Sequence, residues 1–506
     1  MPPSLAMPSL PRLATVFLAA SWTKGVMTLR GTAQARLGAP VMGDALTAGW
    51  TAEGGRLSLW ADRYGAVPLF YAETPQGVLV SNAITALLEA GVSRERDAQA
   101  LSIRFFYGHF VQAMTPFRAI RALLPGERIV WTAQGKSVSG GAPPRPKPLS
   151  LPRAAAIDGY IDLFRAAMAH CLAGLQDYAL PLSGGQDSRH ILLEAMRQNR
   201  PPRYCFTAQP HEPHVVMPDA AIAAGLSARL GLEHVALHYR GDMATSLGKI
   251  LRLDALSVLH DFALSGLAHL QEKPVDIIDG LAGDILSAGL MSSPHRIALF
   301  RDGPFDDFVA DHLTRPAMAQ LLAPRHRALA DYATAHRLLG ETFAAYRDYP
   351  NPLAAGYFFT RTRRDIALGP FKVYQDPRWR VATPYLYPPL FDFLMGLPPD
   401  MFADHRFHAE TIAKAFPRFA DLPFAGKIWS RKAPLRHRLR DAADLLKLYL
   451  PAGQSLSKRH IVLGGAKIAL DPHYALNQRW IRDLVLYFAA LQAIGVDAPS
   501  RAISAS

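Results

Sequence analysis

Six consecutive residues, Ser183-Gly184-Gly185-Gln186-Asp187-Ser188, carry the groups needed to hold the pyrophosphate of ATP. Two hydroxyls can donate to phosphate oxygens. Two glycines let the backbone come close and tolerate positive φ. Asp187 can hold Mg²⁺ against the phosphates. The string follows the apolar run Tyr178-Ala179-Leu180-Pro181-Leu182 and precedes His190-Ile191-Leu192-Leu193-Glu194-Ala195-Met196. Strand, glycine turn and helix in that order aim free backbone N–H groups and the positive helix end at an anion. A bare Ser-Gly-Gly turn would be an ordinary loop; the full string in this context predicts a nucleotide site.

Ser-Gly-Gly-Xaa-Asp-Ser resembles the pyrophosphate loop of the ATP pyrophosphatases. From about residue 50 to about residue 435 the chain resembles the asparagine synthetase superfamily. A second match is Val275-Asp276-Ile277-Ile278-Asp279-Gly280-Leu281-Ala282-Gly283-Asp284, an apolar strand running into a small-residue turn that ends in an acid. It resembles the family's second phosphate-side loop. The resemblance implies that Gly280 belongs to the cradle and that Asp284 shares the metal with Asp187. It also implies ATP and Mg²⁺ as cofactors and a two-step reaction. A carboxylate attacks the α-phosphorus of ATP, and a nitrogen nucleophile then displaces AMP from the acyl-adenylate. The late strings Leu422-Pro423-Phe424-Ala425-Gly426-Lys427 and Ser430-Arg431-Lys432 resemble the segment that carries the family's assisting lysine. The family's intervening residue is missing between Arg431 and Lys432, so Lys427 and Lys432 both stand as candidates. The plain alternative is a solvated basic run continuing through Arg436, Arg438 and Arg440.

The elements that must position these groups are legible as a pattern. Ile157, Ile161, Phe164, Met168, Cys171 and Leu175 fall on one helical face. Arg203–Thr207 and Val235–Leu237 read as strands, Asp219–Leu230 as a helix. Strand–helix alternation predicts an α/β domain whose parallel, helix-covered sheet holds its ligand at the carboxyl ends of the strands. After residue 290 the pattern is mostly helical. The expected division is an amino-terminal β-rich domain over 1–135, a Gly/Pro-rich linker over 136–150, the ATP-binding domain over 151–440 and a helical extension over 441–506.

The amino-terminal domain resembles the glutamine amidotransferase domain of asparagine synthetases through Asp62-Arg63-Tyr64-Gly65, Pro68-Leu69-Phe70-Tyr71, Tyr107-Gly108 and Leu124-Pro125-Gly126-Glu127. That family uses an amino-terminal cysteine as nucleophile. Here Met1 is followed by Pro2, and the first cysteine is Cys171. Glutamine hydrolysis is therefore not expected. The same departure occurs in β-lactam synthetases and lasso peptide cyclases, whose substrates supply their own amine. Leu281 and Ile285 stand where asparagine synthetases keep glutamates, and Tyr387 where they keep an aspartate. These changes predict a substrate larger and less charged than aspartate. The expected function is an amide-forming ligase acting on a small-molecule or peptide carboxylate. Ammonia-dependent asparagine synthesis and a catalytically silent scaffold are the alternatives.

Other features carry less. The charge is +13, from 55 Lys and Arg against 42 Asp and Glu. The basic residues are dispersed, without an RNA-binding signature, so no nucleic-acid partner is expected. Two cysteines make no disulfide framework and fit the cytoplasm. Leu13–Ala20 is apolar but short and reads as a strand rather than a signal peptide. No run suits a membrane span, and a homodimer is left open. His211-Glu212-Pro213-His214 reads as a polar loop rather than a metal site, and His260-Asp261 as a helix pair. Arg361, Arg363 and Arg364 read first as a solvated helix face and second as a clamp for an anionic substrate.

Overall fold

The computed structural model describes residues 15–211, 215–216, 218–239, 243–258, 262–425, 429–430, 434–452, 457–471 and 479–495. Ten strands build the amino-terminal part: β1 (Phe17–Thr23), β2 (Val26–Gly31), β3 (Gln34–Gly38), β4 (Thr47–Glu53), β5 (Arg56–Trp60), β6 (Phe70–Thr74), β7 (Gly77–Ser81), β8 (Arg121–Ala122), β9 (Arg128–Thr132) and β10 (Gly135–Ser139). They form two five-stranded antiparallel sheets, ordered β2-β1-β7-β6-β8 and β10-β9-β5-β4-β3. Alternation sets the faces: in β3, Ala35 and Leu37 are buried while Gln34 and Arg36 face out. The apolar run expected near the start enters β1, which pairs with β2 and β7. β10 pairs with β9 through Ser139, so the sheet runs past the boundary expected at 135.

The second part is a parallel sheet of β11 (Tyr178–Pro181), β12 (Tyr204–Pro210), β14 (His234–Tyr239), β15 (Asp276–Ile278) and β16 (Val381–Ala382), in the order β14-β12-β11-β15-β16. A separate short pair joins β13 (Val215–Val216) to β17 (Trp429–Ser430). Ala179, Leu180, Cys205, Phe206, Ile277 and Ile278 are all buried, as strands covered on both faces must be. From β11 the chain builds outward through β12 and β14, then crosses back to place β15 on the other side of β11. The switch point thus falls between β11 and β15, where open α/β sheets hold ligands. The two loops singled out above leave the carboxyl ends of these two strands.

Helices complete the fold. Arg153–Ala173 buries Ile157, Ile161, Phe164, Met168 and Cys171, the face expected from spacing. The chain is mostly helical after β15 and includes a wide-turned π-helical stretch over Phe358–Ile366. The carboxyl-terminal helices are Leu435–Ala452, Lys458–Leu470 and Arg479–Gly495, the first beginning ahead of the boundary expected at 440. No described helix is long and apolar enough to cross a membrane.

The junction between the two parts is polar and specific. Asp62 is buried and accepts the backbone N–H groups of Tyr64, Ala66 and Val67. That turn presents Arg63 to Asp392 at 2.6 and 2.8 Å and the Tyr64 hydroxyl to the Leu386 carbonyl at 2.9 Å. From the other side, Arg363 donates to the carbonyls of Gly65, Leu123 and Gln112 at 2.9, 2.6 and 3.3 Å, and Arg364 to that of Met114. These two arginines are not a solvated face: Arg363 is 4% exposed. A helix seen alone gives no sign that its polar side meets another domain.

Candidate active site

The loop after β11 is held from three directions. Ser183 N–H donates to the Ser188 hydroxyl at 3.0 Å, and Gly185 N–H to the Ser183 hydroxyl at 3.1 Å. Gly184 N–H is taken by Asp219 at 3.1 Å, and its carbonyl accepts from Ala425 N–H at 2.8 Å. Gly184 is required by space rather than by positive φ. A Cβ there would sit 2.7 Å from the Ala425 Cβ and 3.1 Å from the Asp219 Cα. Gly185, at φ −76°, also lies outside the left-handed region. Neither glycine uses the positive φ that it would tolerate.

The first three amides of the loop are thus internally satisfied, and the donors for an anion come one residue later. The helix Gln186–Arg197 starts without a side-chain cap. The N–H groups of Gln186, Asp187 and Ser188 have no hydrogen-bond partner among the described residues. An uncapped helix start leaves several donors open, together with the positive end of the macrodipole. The Gln186 Oε1 is likewise buried without a partner.

The loop after β15 brings the second acid. Asp279 caps the turn by accepting Leu281 N–H at 2.8 Å, and Ala282 takes a left-handed φ of +77°. Gly283 follows, and here a Cβ would lie 2.4 Å from the Asp187 Cγ, so any larger residue would force that carboxylate to move. Gly280 would meet the Asp187 Cβ at 3.2 Å. Asp187 therefore lies against the turn that carries Asp284. The closeness shows in the ionisation of Asp284, whose carboxyl is raised above its ordinary value by burial and by the Asp187 charge. Arg361 opposes that shift from 3.4 Å. Of the three arginines, it alone reaches this site. Asp284 remains 36% exposed and Asp187 26%, so both can be reached by a ligand.

Two adjacent carboxylates, a row of open amides and an orphaned amide oxygen fit a hard divalent cation with a polyphosphate. Mg²⁺ takes one or two carboxylates and completes its shell with phosphate oxygens and water. Among the described residues no group of three or more His, Cys, Asp or Glu could hold a metal ion.

Sequence reasoning missed what stands behind Asp187. His408, fully buried, places Nδ1 3.3 Å from Asp187 Oδ1 and 2.9 Å from the Ser287 hydroxyl. Its Nε2 lies 3.1 Å from His190 Nδ1. Nothing local to Phe407-His408-Ala409 announces this role.

Other expectations fare differently. Leu281 and Ile285 are 4% and 3% exposed and belong to the hydrophobic core, so they wall no open acceptor pocket. Tyr387 is half-buried against the His170 ring. Lys427 and Lys432 lie outside the described residues; β17 between them pairs with β13. Glu212, Pro213, His214, His260 and Asp261 also lie outside them.

Comparison with known families adds two matches. Residues 32–140 match the model described as glutamine amidotransferase domain, and residues 159–364 the model described as asparagine synthase. A comparison with curated proteins gave no match. The second match takes in the loops after β11 and β15 and Arg361, and ends before Tyr387 and His408.

Proposed function

We propose, from the premise that this chain belongs to the asparagine synthetase superfamily and carries an amidotransferase-like amino-terminal domain, that it activates a carboxylate as its adenylate and couples it to an amine without hydrolysing glutamine. Membership makes it one of the ATP-dependent amide-forming ligases. The observation that carries the finer reading is the pairing of Asp187 with Asp284 across Gly283, at the start of an uncapped helix.

The residues have separate tasks. The open amides of Gln186, Asp187 and Ser188 hold oxygens of the pyrophosphate, and because they are fixed beforehand they need no reorganisation as charge grows. Mg²⁺ bound between Asp187 and Asp284 would neutralise part of that charge. Arg361 stands beside Asp284 as a further cation. A carboxylate oxygen of the substrate bonds to the α-phosphorus, and the bond to pyrophosphate breaks. The amine nitrogen then bonds to the acyl carbon, and AMP departs with the electron pair. Lys427 or Lys432 is proposed as the cation beside the adenylate.

The thiol inventory supports the reading that glutamine is not the donor. Residues 1–170 contain no cysteine, and Cys171 and Cys205 are both buried. Burial pushes the Cys205 thiol up to about 12 and that of Cys171 higher still. Neither offers a thiolate near neutral pH.

The test is ATP–pyrophosphate exchange over a panel of carboxylates, with glutamate release from glutamine measured alongside. Asp187→Asn and Asp284→Asn should each lower exchange about a hundredfold. Undiminished exchange in both would overturn the assignment. Glutamate release above a heat-killed control would overturn the exclusion of glutamine. Efficient asparagine formation from aspartate and ammonia would replace this reading with the ammonia-dependent one.

A further inference from the structure

A cavity of about 610 Å³ opens where the amino-terminal domain meets the helical part of the chain. It lies between the helix Ala98–Tyr107, the segment His312–Met318, and Tyr487 with Phe488 of the last helix. The volume suits a small organic molecule, for which pockets run from about 300 to 1,000 Å³. Its wall is mainly apolar, with Leu101, Phe105, Phe106, Leu313, Met318 and Phe488.

One corner is built differently. His109 Nδ1 lies 2.9 Å from Asp365 Oδ2, and Asp365 also accepts the Ser257 hydroxyl. A carboxylate can only accept, so Nδ1 carries the proton and Nε2 is left with a lone pair. Nε2 has no hydrogen-bond partner among the described residues, and the His109 side chain keeps 16% of its surface open on the cavity wall. Asp365 itself is buried. Burial holds His109 below its ordinary value, against the pull of Asp365, and the Arg104 and Arg361 charges act in the same direction as burial. The imidazole is therefore neutral near pH 7.

This corner adjoins the phosphate site. Asp365 stands four residues beyond Arg361 in the same helical stretch, and Arg361 reaches Asp284 at 3.4 Å. The Tyr107 hydroxyl meets Thr360, the residue before Arg361, at 2.7 Å. The two sites are thus joined through one helical stretch, and for a carbon–nitrogen bond to form the acyl end of the adenylate must reach from the acids to this corner.

We infer that this cavity holds the amine substrate, a primary amine on an apolar aliphatic or aromatic skeleton, and that His109 Nε2 accepts the proton its nitrogen loses on attack. The inference rests on the ligase reading above. The carbon–nitrogen bond forms as the bond from the acyl carbon to the phosphate oxygen breaks; AMP takes the electron pair and His109 takes the proton. Asp365 is the positioning residue that keeps the tautomer and steadies the imidazolium. The aromatic walls supply the apolar surroundings that the buried Leu281 and Ile285 do not.

The probe is 2-phenylethylamine, titrated calorimetrically into the full-length protein, with MgATP titrated into the same preparations. Wild type should bind the amine at submillimolar concentration. Leu101→Trp, which fills the cavity, should weaken it at least tenfold and leave MgATP binding within twofold. Met318→Trp fills the opposite wall and serves if the first variant does not fold. In ¹⁵N-histidine spectra, the signal missing from His109→Gln should show an unprotonated Nε2 at pH 7 and should shift on adding the amine. No amine binding, equal binding in the filled variants, or an unmoved His109 signal overturns the inference. Failure of wild type to bind MgATP instead overturns the ligase reading beneath it.

Discussion

His408 Nδ1 lies 3.3 Å from Asp187 Oδ1, and on its far side His408 Nε2 lies 3.1 Å from His190 Nδ1. Both rings are buried, and burial holds His190 well below its ordinary value, so it stays neutral. A sealed imidazole pair thus stands directly behind the first acid of the site. Removing an outer partner of a metal-holding group commonly weakens metal affinity about 10- to 100-fold. His408→Ala should accordingly raise the Mg²⁺ concentration needed for half-maximal exchange by that order. His408→Asn, which keeps a donor, should recover part of it. An unchanged Mg²⁺ requirement in His408→Ala would show that the pair merely fills space.

Gly283→Ala is the sharpest single test of the geometry. The added methyl would lie 2.4 Å from the Asp187 Cγ, so the carboxylate must swing away. A displacement near 1 Å at a reacting constellation can remove about two orders of magnitude in rate. Exchange should fall by that amount while the melting temperature changes little. Wild-type exchange in this variant would mean that Asp187 does not work from the position described.

The raised carboxyl of Asp284 gives a pH signature. Its ordinary value is 3.8, and burial with the Asp187 charge lifts it in the folded state. The folded chain then holds the proton more tightly than the unfolded chain. The resulting stability is fully present below pH 3.8 and is lost as pH rises through the lifted value. Without Mg²⁺, Asp284→Asn should therefore melt higher than wild type near neutral pH, and the gap should close on acidification. Saturating Mg²⁺ should stabilise wild type and not the variant. Melting curves from pH 3 to 7 decide it; a gap independent of pH would refute the electrostatic account.

Arg363 can be tested for its structural role. It serves three carbonyls of the amino-terminal part from a buried position. Leaving buried polar groups unpaired costs about 1–3 kcal/mol each. Arg363→Met should lower stability by about 3 kcal/mol and speed proteolysis between Ser139 and Arg153. Stability within error of wild type would show that water replaces the guanidinium there.

The sequence made some of this readable and hid the rest for physical reasons. The strand, turn and helix around Ser183–Ser188 could be read because they are encoded locally, and the turn that carries Asp284 through its resemblance to the family's second loop. The need for Gly184 could not, since it arises from Ala425 and Asp219, which are distant in the chain. The apolar type of Leu281 and Ile285 points to a less charged substrate, yet whether they face it depends on what packs over them, and both are buried. From the helix alone Arg363 and Arg364 look like a solvated face or an anion clamp, because their partners belong to another domain. His408 and His109 gave no signal because a lone histidine looks alike in a core, on a surface or beside a carboxylate.

The reach of Arg363 and Arg364 across the junction bears on how such a chain can change over generations. Among the described residues Arg363 donates to three carbonyls of the amino-terminal part, and it packs in a stretch that is itself mostly buried. A gene shortened to its ATP-binding half would leave those guanidinium groups unmatched beside newly bared apolar surface, and its product would aggregate. Whatever chemistry the amino-terminal domain carries or lacks, deletion is closed to it. Its outward surface is free to drift, while the backbone at Gly65, Gln112, Met114 and Leu123 is held in place by a need that no assay of that domain alone would detect.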